Sequence, residues 1–195
     1  MNGVSNSSLG SVQWLVGGGM LLIPLANYIM EWLSAGTVSK SNMTRHMKVG
    51  RNIALLPGGF EEATLFVQGH HRVYIKNRKG FIKMALRYGY QVIPVYTFGE
   101  EQTYTSMPYF LSFRLWLNKF KIPAVYFSGI GYLPYPSTEL VTVVGKALCM
   151  PVIDDPTVLQ VNTHHARYVK ALTTLFDTHK EKYNHPGSKL HLEVF

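Results

Sequence analysis

Three blocks decide how this chain reads: Leu55-Leu56-Pro57-Gly58-Gly59-Phe60-Glu61-Glu62, then Asn77-Arg78-Lys79-Gly80-Phe81, then Ile93-Pro94-Val95-Tyr96-Thr97-Phe98-Gly99-Glu100. The apolar run Asn52 to Leu56 stops at Pro57-Gly58-Gly59, the pattern of a buried strand entering a tight turn. Phe81, Met84, Ala85 and Tyr88 recur at helical spacing, with Lys83 and Arg87 on another face and Gly89 placed to end the helix. Gln91 to Thr97 is β-branched and aromatic, the composition of a strand. Strand, helix and strand predict a parallel, right-handed βαβ unit.

Working outward, Ala124 to Phe127 and Leu140 to Val144 are further short strand candidates. Asp155-Pro156 predicts a helix cap followed by proline in the first turn. That helix carries Leu159, Val161, His165, Tyr168, Val169, Leu172, Leu175 and Phe176 as one apolar stripe, which should pack on a sheet. The tail from Asn184 leaves the helical pattern, and Ser34 to Asn42 reads as a polar connector. The expected organisation is an apolar amino-terminal segment over residues 1–45 and an α/β domain over 46–195, continuous with part of it.

The chain has 195 residues, enough for one domain with a substantial core. Charged residues make up 15%, below the roughly 25% usual in soluble domains, and aromatics are abundant. The net charge of +8 favours anionic partners: nucleic acid, anionic lipid or a phosphorylated ligand. One cysteine, Cys149, excludes an intrachain disulfide and is expected to pack as a small hydrophobe. Val12 to Met30 carries no charge and approaches membrane-span length, yet Gly17-Gly18-Gly19 and Pro24 break helical continuity. It suits either a bilayer-embedded or interfacial segment or a buried core segment. No Lys or Arg precedes it, which argues against a secretory signal peptide.

Gly58 and Gly59 let backbone N–H groups approach a ligand closely, with Glu61 and Glu62 beside them; an ordinary strand-exit turn has the same residues. Arg72, Lys76, Arg78, Lys79, Lys83 and Arg87 place six cations within 16 residues, some at a helix amino terminus near Gly80. Such a cluster is either a phosphate site or a solvated basic face. No Walker loop, GxGxxG, HExxH, Cys/His zinc spacing or GxSxG elbow occurs. Single-stranded nucleic acid competes as a ligand, but no RNA-binding signature supports it. The pairs His70-His71 and His164-His165 diverge rather than chelate, and His165 reads as a hydrogen-bonded core histidine.

Taken together, Leu56-Pro57-Gly58-Gly59-x-x-Glu62, Arg78-Lys79-Gly80-Phe81-x-x-x-Ala85, Ile93-Pro94-Val95 and Phe98-Gly99-Glu100 resemble the type 2 diacylglycerol acyltransferase family in order and spacing. That family includes monoacylglycerol acyltransferases and wax synthases. The resemblance continues through Thr142-Val143-Val144-Gly145, His165-x-x-Tyr168 and Leu175-Phe176-Asp177-x-His179-Lys180, covering roughly residues 20–183. It implies an α/β sandwich similar to the glycerophospholipid acyltransferases, with a mostly parallel central sheet flanked by helices. It also implies transfer of a fatty acyl group from acyl-CoA, as a substrate with no bound cofactor, to the hydroxyl of an acylglycerol or other lipid alcohol, at the endoplasmic reticulum membrane or a lipid droplet.

On that resemblance Pro57, Gly58, Gly59, Glu62, Pro94, Phe98, Gly99 and Glu100 line the substrate cleft. Arg78, Lys79 and Gly80 meet the CoA phosphates, and Glu62 positions the acceptor or a base. The family's catalytic histidine belongs to a His-Pro-His-Gly block upstream of these blocks, and no such tetrapeptide occurs here. His185-Pro186-Gly187 is a partial echo at the wrong end and receives no role. The alternative expectation is a truncated or catalytically inactive member acting as a lipid-associated regulatory protein.

Overall fold

A computed structural model describes residues 12–17, 28, 35–106, 109–118, 120, 127–130 and 133–195. The chain divides into two compact units, Met1–Gly59 and Phe60–Phe195.

In the first unit, β1 (Val12–Val16) lies between β2 (Gly36–Thr37) and β3 (Asn52–Leu55), and both pairings are parallel. The register sets Leu15 against Gly36 on one side and against Leu55 on the other. Val12 to Val16 is therefore a central strand and not the start of a membrane helix; residues 18–27 and 29–34 lie outside the described residues. Among the described residues no helix is long and apolar enough to cross a membrane. Helix α1 (Lys40–Lys48) takes over the last three residues of the expected connector. Ser39 accepts a hydrogen bond from the Asn42 N–H at 3.2 Å, satisfying one of the unpaired amides of the first turn. Met43 and Met47, one turn apart, are buried.

The second unit follows. Helix α2 (Gly59–Leu65) crosses the boundary between the units. Strand β4 (His71–Val73), helix α3 (Gly80–Tyr88) and β5 (Val95–Phe98) follow, with a 3₁₀ turn at Glu100–Gln102. Then come β6 (Thr105–Ser106), α4 (Leu111–Asn118), β7 (Phe127–Ser128), β8 (Val141–Val144), α5 (Val158–Tyr183) and β9 (Leu192–Val194). Strand β4 pairs in parallel with β9, whereas β5 with β8 and β6 with β7 are antiparallel.

The expected βαβ pairing is thus corrected. Strand β5 lies antiparallel to β8, with Val95 opposite Val144 and Phe98 opposite Val141, while β3 pairs with β1. Thr97 and Thr142 reinforce the antiparallel register through a hydroxyl contact of 3.0 Å. Of the expected Ala124–Phe127 strand, Phe127 lies in β7, and residues 121–126 lie outside the described residues.

Helices α3 and α5 form where the periodicity placed them. Gly89 ends α3 in a left-handed conformation. The cap of α5 is Thr157, two residues past the expected Asp155. Its hydroxyl takes the Gln160 N–H while the Gln160 side chain takes the Thr157 N–H, a reciprocal box that Asp155 does not form. Asp155 instead meets Lys83 and Arg87.

Val161, His165, Tyr168, Leu172, Leu175 and Phe176 bury as expected, but Leu159, in the first turn, is exposed. With Ile75, Ile82, Leu86 and Phe98 this stripe builds the core. His165 donates from Nε2 to the Ile75 carbonyl, 2.9 Å away, as a core histidine, and burial holds its imidazole below the ordinary pKa. Cys149 is exposed rather than packed inside.

Candidate functional site

Helix α2 places Glu62 one turn from its start, because the chain turns into helix at the second glycine, Gly59. The Glu62 carboxylate accepts the Tyr74 N–H at 2.8 Å. Burial pushes its pKa up, the charge on Glu100 adds to that, and the Tyr74 N–H and Arg78 pull the other way. Glu100 is accessible to solvent; desolvation and then Glu101 raise its pKa as well. Tyr96 is held well above the ordinary phenol value by burial first, then by Glu101, Glu100 and Glu62. Glu62, Glu100, Glu101, Tyr96 and Arg78 thus form one electrostatic neighbourhood.

Arg72, Arg78 and Lys79 are engaged. Arg78 pairs with Glu61 and stacks over the Tyr74 ring at 5.3 Å. Lys79, the residue before α3, donates to Asn162 at 2.8 Å. Arg72 joins Glu193 at 3.0 Å, and His70 meets the other oxygen of that carboxylate at 3.3 Å. Gly80 opens α3 with no side chain capping the turn, leaving its amides available.

The remaining expected site residues divide. Pro57 and Gly58 form the turn and Gly59, with φ of 66°, starts α2. Phe98 is corrected from a cleft residue to a core residue: it is 0% exposed, and its ring stacks on Phe176 with centroids 5.4 Å apart. Pro94 is likewise fully buried, its carbonyl accepting the Gly145 N–H at 2.8 Å. Both brace the strand whose end carries Gly99 and Glu100. Gly99 has φ of 88°, and a Cβ there would stand 2.0 Å from the Glu139 carbonyl oxygen, so only glycine fits.

One set of residues went unread in the sequence. His71 is 1% exposed and sits at the centre of a closed polar network. Its Nε2 donates to Asn184 Oδ1 at 2.6 Å, which leaves Nδ1 to accept the Tyr96 hydroxyl at 2.8 Å. Asn184 donates onward to the Ser188 carbonyl, and the Ser188 hydroxyl donates to Glu101 Oε1 at 2.9 Å. The other oxygen of Glu101 accepts the Gly99 N–H at 3.0 Å. The network locks the Gly99-Glu100 tip against the chain's last turn of loop. A signal existed in Gly99-Glu100-Glu101, but Asn184 and Ser188 come from the far end of the chain. Among the described residues no group of three or more His, Cys, Asp or Glu is placed to hold a metal.

A half-buried carboxyl of raised pKa, a guanidinium and the open amides of a helix mouth can together orient a hydroxyl beside an anion. Comparison with known proteins gives this chemistry a context. Mouse diacylglycerol O-acyltransferase 2 is 36% identical over 159 residues, covering 74% of this chain and 40% of that protein. Human acyl-CoA wax alcohol acyltransferase 2 is 33% identical over 175 residues, covering 82% and 52%. Human 2-acylglycerol O-acyltransferase 3 is 32% identical over 206 aligned positions, covering 96% and 60%. This chain therefore spans about two fifths to three fifths of the length of these relatives. No solved structure matches it. A family model for diacylglycerol acyltransferase matches residues 13–193, nearly the whole sequence, and the chain belongs to that family.

Proposed function

We propose that this chain binds a fatty acyl-CoA and a lipid alcohol and serves transfer of the acyl group to the alcohol's hydroxyl, releasing an ester and CoA. The observation that carries the reading is the family match along residues 13–193, and the relatives' names specify acyl transfer to diacylglycerol, wax alcohol and 2-acylglycerol. The acceptor oxygen attacks the thioester carbonyl; a C–O bond forms, the C–S bond breaks, and the hydroxyl proton ends on the departing thiol. Such a step needs a base for the proton and donors for the oxyanion. This reading assigns no residue of the chain as the base.

Glu62 is the acceptor-positioning group, since its carboxyl, whose pKa burial raises, can hydrogen-bond a hydroxyl beside Arg78. Arg78, Lys79 and the Gly80 amide take CoA phosphate, the phosphate displacing Glu61 from Arg78. The helices and strands are read as a sandwich of the glycerophospholipid acyltransferase type, working at the endoplasmic reticulum membrane or a lipid-droplet surface.

The test is transfer of label from radiolabelled oleoyl-CoA to diolein by membranes expressing the chain. Ester above the empty-vector control, cut about tenfold by Glu62→Gln, is expected for loss of a positioning hydrogen bond. Acyl-CoA binding without any turnover would instead favour the non-catalytic, lipid-associated reading. Loss of neither binding nor turnover in Glu62→Gln and Arg78→Ala would overturn the assignments.

A further inference from the structure

Helix α4 wears its aromatic side outward. Phe110 is 78% exposed, Phe113 57%, Trp116 49% and Phe120 60%, and Tyr109 is exposed beside them. Phe113 and Trp116, three residues apart, share one side of α4, Phe110 precedes the helix, and Phe120 beyond its end extends the aromatic stripe. They touch one another: Phe113 stacks on Trp116 at 5.8 Å, and Trp116 meets Phe120 edge-on at 4.9 Å. The helix's one cation is turned the other way. Arg114 is 7% exposed, and Asn118 donates to the fully buried Thr64 hydroxyl at 2.7 Å. A helix facing water would do the reverse, because exposed rings gain by leaving water and a guanidinium loses by it. The backbone at Phe110 is left-handed (φ 57°), an unfavourable conformation for a ring-bearing residue, and it displays the most exposed ring of the stripe.

Charge identifies the occupant. No Asp or Glu occurs between Glu101 and Glu139, whereas Lys119 and Lys121 follow the helix directly in sequence, in a chain of net charge +8. A second copy would set one chain of net charge +8 against another. Trp, Tyr and Phe flanked by Lys are the residues that settle at the boundary between lipid headgroups and acyl chains. We propose that α4, with Tyr109 and Phe110 before it and Phe120 after it, docks on the surface of an anionic phospholipid layer, its rings at the headgroup–acyl boundary.

The test needs no acyl-CoA and so stands apart from the acyl-transfer reading. The chain is floated with phosphatidylcholine vesicles made with and without phosphatidylserine. It should float with both and more completely with phosphatidylserine, and Phe110→Ser with Phe113→Ser should weaken partitioning by about tenfold or more. A double variant that floats like the parent overturns the proposal. So does a lipid-free dimer of the parent that the double variant abolishes. Should the double variant not fold, acyl-brominated phosphatidylcholine provides a second readout. It should quench the parent's tryptophan emission, and Trp116→Phe should lose most of that quenching while floating equally well; undiminished quenching in Trp116→Phe overturns the proposal.

Discussion

Gly99 tolerates no side chain, because its positive φ and the Glu139 carbonyl 2.0 Å from a notional Cβ act together. Gly99→Ala should destabilise by about 3 kcal/mol or more in urea unfolding, with loss of the Glu100 tip geometry. Glu62 makes a pH prediction. Burial, with Glu100 adding, favours the protonated carboxyl in the folded chain more than in the unfolded one. Its contribution to stability is full below the ordinary glutamate pKa and is lost as pH rises through the raised one. Urea unfolding of Glu62→Gln across that range should therefore show a flatter fall of stability with rising pH, while the Gln oxygen still accepts the Tyr74 N–H. Glu61 competes with any phosphate for Arg78. Glu61→Gln should tighten acyl-CoA binding about threefold and steepen its salt dependence, as measured by calorimetry.

At the scale of elements, the reciprocal cap of α5 makes a separate prediction: Thr157→Ala should cost about 1 kcal/mol in thermal unfolding. Helices α3 and α5 were legible because their apolar residues keep a 3.6 period over two or more turns. Strands β3 and β8 were legible as short apolar and β-branched runs, and β5 only in its second half, since it starts at Val95 rather than Gln91; their partners were not legible, since pairing is decided by contacts distant in sequence. Helices α1 and α2 were hidden for another reason. The first begins among serines that also suit a connector, and the second starts in Gly59, a poor helix former. The grouping of Glu62, Arg78 and Glu100 could be read from the order of the blocks. Phe98 could not be placed, because an aromatic at a strand end serves a cleft or a core equally well, and only its stacking on Phe176 decides. His71 gave no signal for the same physical reason as β9: its partner Asn184 lies 113 positions away.

For the molecule as a whole, the polar network through His71 and the β4–β9 pairing tie residues near the middle of the chain to its last ones. Removing residues 188–195 takes away the partner strand of β4, the buried Leu192 and the Ser188 hydroxyl on Glu101. Circular dichroism of that truncation should show a loss of cooperative unfolding, whereas deletion of an exposed tail would leave it intact. The β4–β9 pairing also sets a clock. Arg72 and its partner Glu193 are 121 positions apart, so at about 5–20 residues per second the ribosome takes about 6–24 s to deliver the second after the first. Through that interval the nascent chain carries an unzipped strand edge beside an unfinished hydrophobic interior, and its second unit reaches its native form only once β9 has been made.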